Sequence, residues 1–145
     1  MKALFDTNVA VAALVEVHPH HKRAFPWLKK IFDSSISGIF CAHSLAELYS
    51  SLTSLPVFPK ISPTQEERLI TQNILPHFEI VELSKEDYLT VLRTEAENSI
   101  QGGAVYDALI GQAALKAGVD KLLTFNDKHF RRAYPAIADL IEIPK

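Results

Sequence analysis

The sequence contains little that would cross-link it or carry it into a membrane. Cys41 is the one cysteine in 145 residues, so no internal disulfide can form and a reducing compartment, the cytoplasm, is expected. No stretch approaches the roughly 20 apolar residues of a membrane span, so no membrane partner is expected. The start, MKALFDTNVAVAALVE, places a lysine before apolar residues as a signal peptide does. Asp6 and Asn8 interrupt it and no small-residue cleavage site follows cleanly, so it reads as a core strand running into a helix. Excess positive charge is also missing. Fifteen Lys and Arg face 17 Asp and Glu, a formal net charge of −2, and the basic footprint of a general nucleic-acid binder is absent from the chain as a whole. A local basic face stays open. Internal repeats, low-complexity segments and long charge runs are absent too. What the chain does have is an apolar fraction of 48%, ample for a packed core, and a length that suits one domain, residues 1–145.

Short apolar runs alternate with helical patterns. Lys2 to Phe5, Ile36 to Ala42, the alternating HFEIVEL, DKLLT and DLIEIP read as strands. VAVAALVE has helical character. In HPHHKRAFPWLKKIFDSS the residues Ala24, Trp27, Leu28, Ile31 and Phe32 recur at helical intervals, with Pro26 expected to delay or kink the helix. SLAELYSSL places Leu45, Leu48, Tyr49 and Leu52 on one side of a helix. After the Pro-rich break PVFPKISP, Ser62 and Gln65 spell a capping box that opens a helix over TQEERLITQNIL. Ser84 opens another. A last helix runs from the Gly102–Gly103 turn to Gly118, a natural stop. Strand–helix repetition with buried strands predicts an α/β fold, a central parallel sheet of about five strands with helices on both faces.

In such a sheet, ligands bind outside the carboxyl ends of the strands. Asp6 and Asn8 follow the first strand, Ser44 and Glu47 the second, and Thr124, Asn126 and Asp127 the strand KLLT. Helix capping accounts for much of this: Asp6 suits an N-cap, Ser44-x-x-Glu47 is a capping-box spelling, and Asn126 could cap the turn after it. Asp107 lies in a first helical turn, where the helix dipole favours an anion. Capping leaves two things uncovered. It needs only one acceptor, which Ser, Thr or Asn supplies as well as Asp. Asp107 is embedded in GGAVYDALI, and the first basic residue of its helix is Lys116, over two turns away. Carboxylates gathered without a cation repel and raise one another's pKa. Hard divalent ions such as Mg²⁺ take oxygen ligands and need few protein carboxylates. Asp6, Glu47 and Asp107 have that donor character.

FDTN after the first strand, SLAEL after the second, GGAVYDALI in a late helix and LLTFNDKHF after the fourth strand, in this order and spacing, resemble the PIN-domain ribonucleases, and among them the VapC-type toxins of toxin–antitoxin pairs. The resemblance spans nearly the whole chain. It implies a PIN-like domain and an endoribonuclease that hydrolyses RNA phosphodiester bonds with water activated by Mg²⁺ or Mn²⁺, leaving a 5′-phosphate and a 3′-hydroxyl. It implies that Asp6, Glu47 and Asp107 are metal-site and catalytic residues, with Asn126 at the fourth catalytic position and Asn8 and Thr124 as supporting polar residues. The family's fourth position is commonly Asp or Asn. An uncharged Asn126 would hold a second ion weakly, and the neighbouring Asp127 is the alternative at that position, so one ion or two stays open. The resemblance also implies a homodimer and a small antitoxin that masks the active site.

The remaining features read more plainly. His18, His20 and His21 sit beside Lys22 and Arg23 and suit a helix-start loop better than a zinc site, which needs about four placed ligands. Lys22, Arg23, Lys29 and Lys30, with Lys128, Arg131 and Arg132, form two basic strips whose ordinary role is a solvated face. RNA contact, above all by Lys22, Arg23, Lys128 and Arg131, is the sharper alternative. Tyr49, Phe58 and Trp27 are expected in the core or an interface, PVFPK and the following helix at a dimer surface, and Cys41 as a buried small hydrophobe. Two other functions compete: a PIN-like RNA- or protein-binding module without catalysis, and a small-molecule phosphatase. The latter lacks the second Asp two residues after Asp6 that an aspartyl-phosphate mechanism needs.

Overall fold

Ala3, Leu4 and Phe5 are all fully buried, which requires cover on both faces of the strand that carries them. The computed structural model, which describes residues 1–145, supplies it. Five strands, β1 (Lys2–Phe5), β2 (Ser37–Cys41), β3 (Phe78–Val81), β4 (Lys121–Leu123) and β5 (Ile141–Glu142), form one sheet in the order β3-β2-β1-β4-β5. Every pairing is parallel. The helices are α1 (Thr7–Leu14), α2 (His21–Phe32), α3 (Ala42–Ser54), α4 (Pro63–Leu69), α5 (Lys85–Glu97), α6 (Ala104–Ala117) and α7 (Asp127–Ala133).

The side-chain alternation of β1 divides the core in two. Ala3 and Phe5 pack with Val9, Leu28, Leu48 and Leu52 from α1, α2 and α3. Leu4 packs on the opposite face with Val91, Ile110 and Phe130 from α5, α6 and α7. The expected α/β architecture with helices on both faces is therefore present. No helix is long and apolar enough to cross a membrane.

Local chemistry sets most boundaries. Ser62 and Ser84 both form complete capping boxes, with Gln65 and Asp87 as the reciprocating side chains. Gly118 ends α6 in the left-handed conformation at φ 60°. Several expectations are corrected. α2 starts at His21 and continues through Pro26 to Phe32. The helix expected over TQEERLITQNIL is α-helical only to Leu69, and Ile70–Ile74 is a π-helical segment. Ser44 caps nothing: β2 passes into α3 without a connecting residue, Cys41 is the N-cap, and Ser44 and Glu47 lie inside the helix. Phe58 is 100% exposed and Tyr49 44% exposed, so neither belongs to the core. Trp27 packs against the first core cluster, and Cys41 is fully buried, as expected.

Gly38 shows how closely the helices approach the sheet. A Cβ there would lie 2.8 Å from Phe78 Cδ1 and 2.9 Å from Ile31 Cδ1. Gly38→Val is expected to reduce unfolding free energy by about 1–3 kcal/mol through overpacking, read as a lower urea midpoint. An unchanged midpoint would show that Phe78 and Ile31 yield freely.

Candidate active site

The chain leaves β1 in one direction to build β2 and β3, then crosses to the other side for β4 and β5. The switch point lies between β1 and β4, and in a sheet of this kind ligands bind there, beyond the carboxyl ends of the strands. Phe5 and Leu123 are paired residues at those ends, so Asp6 and Thr124 emerge side by side.

Asp6 is 5% exposed. Its Oδ1 accepts the Thr7 backbone N–H at 2.7 Å, and its Oδ2 accepts the Thr124 hydroxyl at 2.7 Å. That hydroxyl accepts the Asn126 N–H at 2.9 Å, which turns its proton toward Asp6. Asp6 is thus the N-cap of α1, as capping predicted. The two hydrogen bonds favour its charged form, yet burial, with Asp107 and Glu47 nearby, pushes its carboxyl up to about 7.

Asp107 enters from the first turn of α6, just beyond the turn at Gly102, whose φ of +68° suits glycine. Its carboxyl is raised to about 6 by burial and then by Glu47, with His129 acting in the opposite direction. Glu47 comes from α3, where His43 precedes it by one turn and its Nδ1 lies 2.9 Å from Glu47 Oε1. The His43 ring stacks on Tyr106, which ties α3 to the start of α6. Asp6, Glu47 and Asp107 therefore meet at one edge from three elements.

Their convergence is looser than a shared metal site requires. No three His, Cys, Asp or Glu side chains are gathered closely enough to hold an ion. The expectation that the three carboxylates already stand within reach of one ion is corrected in that respect. The cause is electrostatic: like charges separate, and Glu47 is engaged by His43. The donor set nevertheless suits a hard divalent ion. It consists of carboxylate oxygens around a buried Asp6, and none of the three forms a salt bridge with Lys or Arg.

Among the supporting residues, Asn8 Oδ1 accepts the Phe125 N–H at 3.3 Å, which fixes the loop after β4. Asn126 is exposed, and it heads α7 without making a side-chain cap bond. Asp127 is half-buried, but the charges acting on Asp107 are those of Glu47 and His129. Two of the basic residues expected to meet RNA have structural partners. Arg23 Nε donates to Pro144 O at 2.9 Å with its guanidinium over Phe125, and Arg131 Nη1 donates to Ala138 O at 3.0 Å. Lys22 and Lys128 are exposed. The histidine loop is engaged locally: His18 Nδ1 accepts the His20 N–H, His20 stacks on Phe125, and His21 Nδ1 lies 2.9 Å from Ala12 O.

Sequence reasoning missed His43, Tyr106 and His129. His43 carried a readable signal, since four residues before Glu47 on a helix places the two side chains together. His129 carried none, because α6 and α7 are brought together only by the fold.

Comparison with known proteins agrees with this fold. The PIN domain family model matches residues 3–134. The chain is 36% identical over 109 residues to Ribonuclease VapC27 of Mycobacterium tuberculosis, covering 75% of this chain and 74% of that protein. It is 32% identical over 128 residues to Ribonuclease VapC40 of the same species, covering 82% of each. Among solved structures, VapBC2 from Rickettsia felis bound to a promoter DNA fragment is similar at a TM-score of 0.66 and 19% identity, over 100% of both chains. FitAcB from Neisseria gonorrhoeae is similar at 0.65 and 21% identity, over 99% of this chain and 96% of that one. At those identities the structural likeness concerns the fold.

Proposed function

Because this chain belongs to the PIN-domain family, we propose that it is a metal-dependent endoribonuclease, the toxin of a toxin–antitoxin pair. The observation that carries this reading is Asp6: a buried carboxylate without a cationic partner, raised to about 7, beside the charges of Asp107 and Glu47. Such a group is costly to keep as an anion unless a cation joins it. Asp6, Glu47 and Asp107 would hold Mg²⁺ or Mn²⁺, which when bound lowers the pKa of water and stabilises charge developing on a phosphate. The chain's own residues prepare the site. Thr124, polarised by the Asn126 N–H, fixes the rotamer of Asp6. Thr7 N–H restrains its second oxygen. Gly102 sets the entry of α6 and so the position of Asp107.

A single ion is the simplest loading, because Asn126 carries no charge and Asp127 is not among the groups that shift Asp6 or Asp107. The identity to Ribonuclease VapC27 and Ribonuclease VapC40 supports RNA as substrate. The likeness to VapBC2 and FitAcB supports an antitoxin partner.

Purified protein with structured RNA is expected to cleave in Mg²⁺ or Mn²⁺ and to lose cleavage in EDTA, read on denaturing gels. Cleavage that persists in EDTA would remove the metal from the mechanism. RNA binding without cleavage under every metal condition would favour a binding module. Turnover of small phosphate esters with RNA left intact would favour a phosphatase.

A further inference from the structure

A cleft of about 400 Å³ adjoins Glu47 and is lined by His43, Ala46, Glu47, Ser50, Ser51 and Tyr106. Two of its lining rings, those of His43 and Tyr106, stack on each other with centroids 5.4 Å apart and planes inclined by 17°. His43 is anchored on its other side by Glu47. Tyr106 is 50% exposed, so much of its ring remains open to the cleft. Neither Lys nor Arg lines it.

These features narrow the occupant. A phosphate needs cations or a row of N–H donors, and here it would meet the Glu47 carboxylate instead. A flat, neutral group with polar edges fits: ring against ring at Tyr106, and edge atoms toward the hydroxyls of Ser50 and Ser51, each able to donate or accept. We propose that this cleft is a nucleobase subsite, in which an unpaired base beside the scissile phosphate stacks on the His43–Tyr106 pair. A base inside a duplex has both faces covered and does not present one to a protein ring. Glu47 belongs both to this cleft and to the acidic edge, which places the stacked base next to the reacting phosphate. The inference rests on the ribonuclease reading for the identity of the polymer.

Two measurements test it separately from that reading. In cleavage of a loop-containing RNA, Tyr106→Ala is expected to raise KM about tenfold, the loss of one base–aromatic stack, while Tyr106→Phe stays within about twofold of wild type. In an Asp6→Asn background, binding of a short single-stranded oligoribonucleotide, read by fluorescence anisotropy, is expected to weaken about tenfold on adding Tyr106→Ala and little on adding Tyr106→Phe. The same sequence closed into a duplex is expected to be insensitive to both changes. Thermal unfolding checks that each variant is folded. Unchanged KM and unchanged affinity in Tyr106→Ala overturn the subsite, as does a Tyr106→Phe defect equal to that of Tyr106→Ala, or no oligonucleotide binding by Asp6→Asn protein. Wild-type protein that binds the oligonucleotide through Tyr106 but cleaves no RNA overturns the ribonuclease reading alone.

Discussion

Asp107→Asn is expected to lower RNA cleavage about a thousandfold or more and, in the same protein, to raise stability at pH 8 in EDTA. The two effects have one origin. In the proposed mechanism bound metal would supply several kcal/mol of transition-state stabilisation, and each 1.4 kcal/mol is tenfold in rate, so removing one of three carboxylate ligands would cost orders of magnitude. Without metal, the Asp107 carboxylate is opposed by burial and by Glu47, which hold its pKa at about 6. Asparagine keeps the shape and removes the charge, so the metal-free fold is expected to gain about 1–3 kcal/mol at pH 8. Urea denaturation in EDTA measures the gain, and gel assays measure the loss. A structural helix-start carboxylate would behave oppositely: losing it would weaken the helix dipole interaction and the protein with it. A variant that is less stable and fully active would therefore sink the metal-site reading.

The metal-free wild type is expected to lose stability as the pH rises from about 4 to about 7, and Mg²⁺ is expected to restore it at pH 8. The ordinary aspartate value is 3.8, and the fold raises that of Asp6 to about 7. Between those limits the folded chain binds more protons than the unfolded one, so unfolding free energy falls with increasing pH. The stabilisation is complete below the lower limit and gone above the upper. For Asp6 the change amounts to about 4 kcal/mol at most. Asp107 adds in the same direction up to about pH 6. Glu66 and Glu95, buried with both oxygens unpartnered, are also raised by desolvation and contribute likewise. Asp87 works the other way. Lys116 above all, with Ser84 and Gln112, holds it well below the carboxylate range, so its contribution is present above about pH 4 and lost on acidification. Denaturation series from pH 4 to 8, with EDTA and with Mg²⁺, measure both parts. Mg²⁺ that stabilises Asp6→Asn protein as much as wild type would place the ion elsewhere.

Much of this was legible before the fold. The strands announced themselves because a doubly covered parallel sheet needs uninterrupted apolar runs such as Ala3-Leu4-Phe5. Asp6 and Asp107 stood out because a carboxylate among apolar residues needs a reason. What was not legible depended on distance in space or on register. Ser44-x-x-Glu47 spelled a cap, but a strand that enters its helix directly shifted the start to Ala42 and left Ser44 buried without a partner. Four-residue spacing tied His43 to Glu47, yet nothing in the spacing tied His43 to Tyr106. The tightness of the acidic trio was overestimated because residue types specify what an ion would attract, and not where the side chains rest under mutual repulsion. Phe58 was expected in the core or an interface, and the Pro-rich break, by carrying it fully into solvent, removes the core alternative.

The bond from Thr124 Oγ1 to Asp6 joins residues 118 positions apart, and β4 beside β1 is equally late in the chain. Asp6 is therefore synthesised 118 residues before the hydroxyl that clamps it, and its rotamer is set only once β4 has joined the sheet beside β1. A chain cut short before β4 would keep Asp6 without the Thr124 bond.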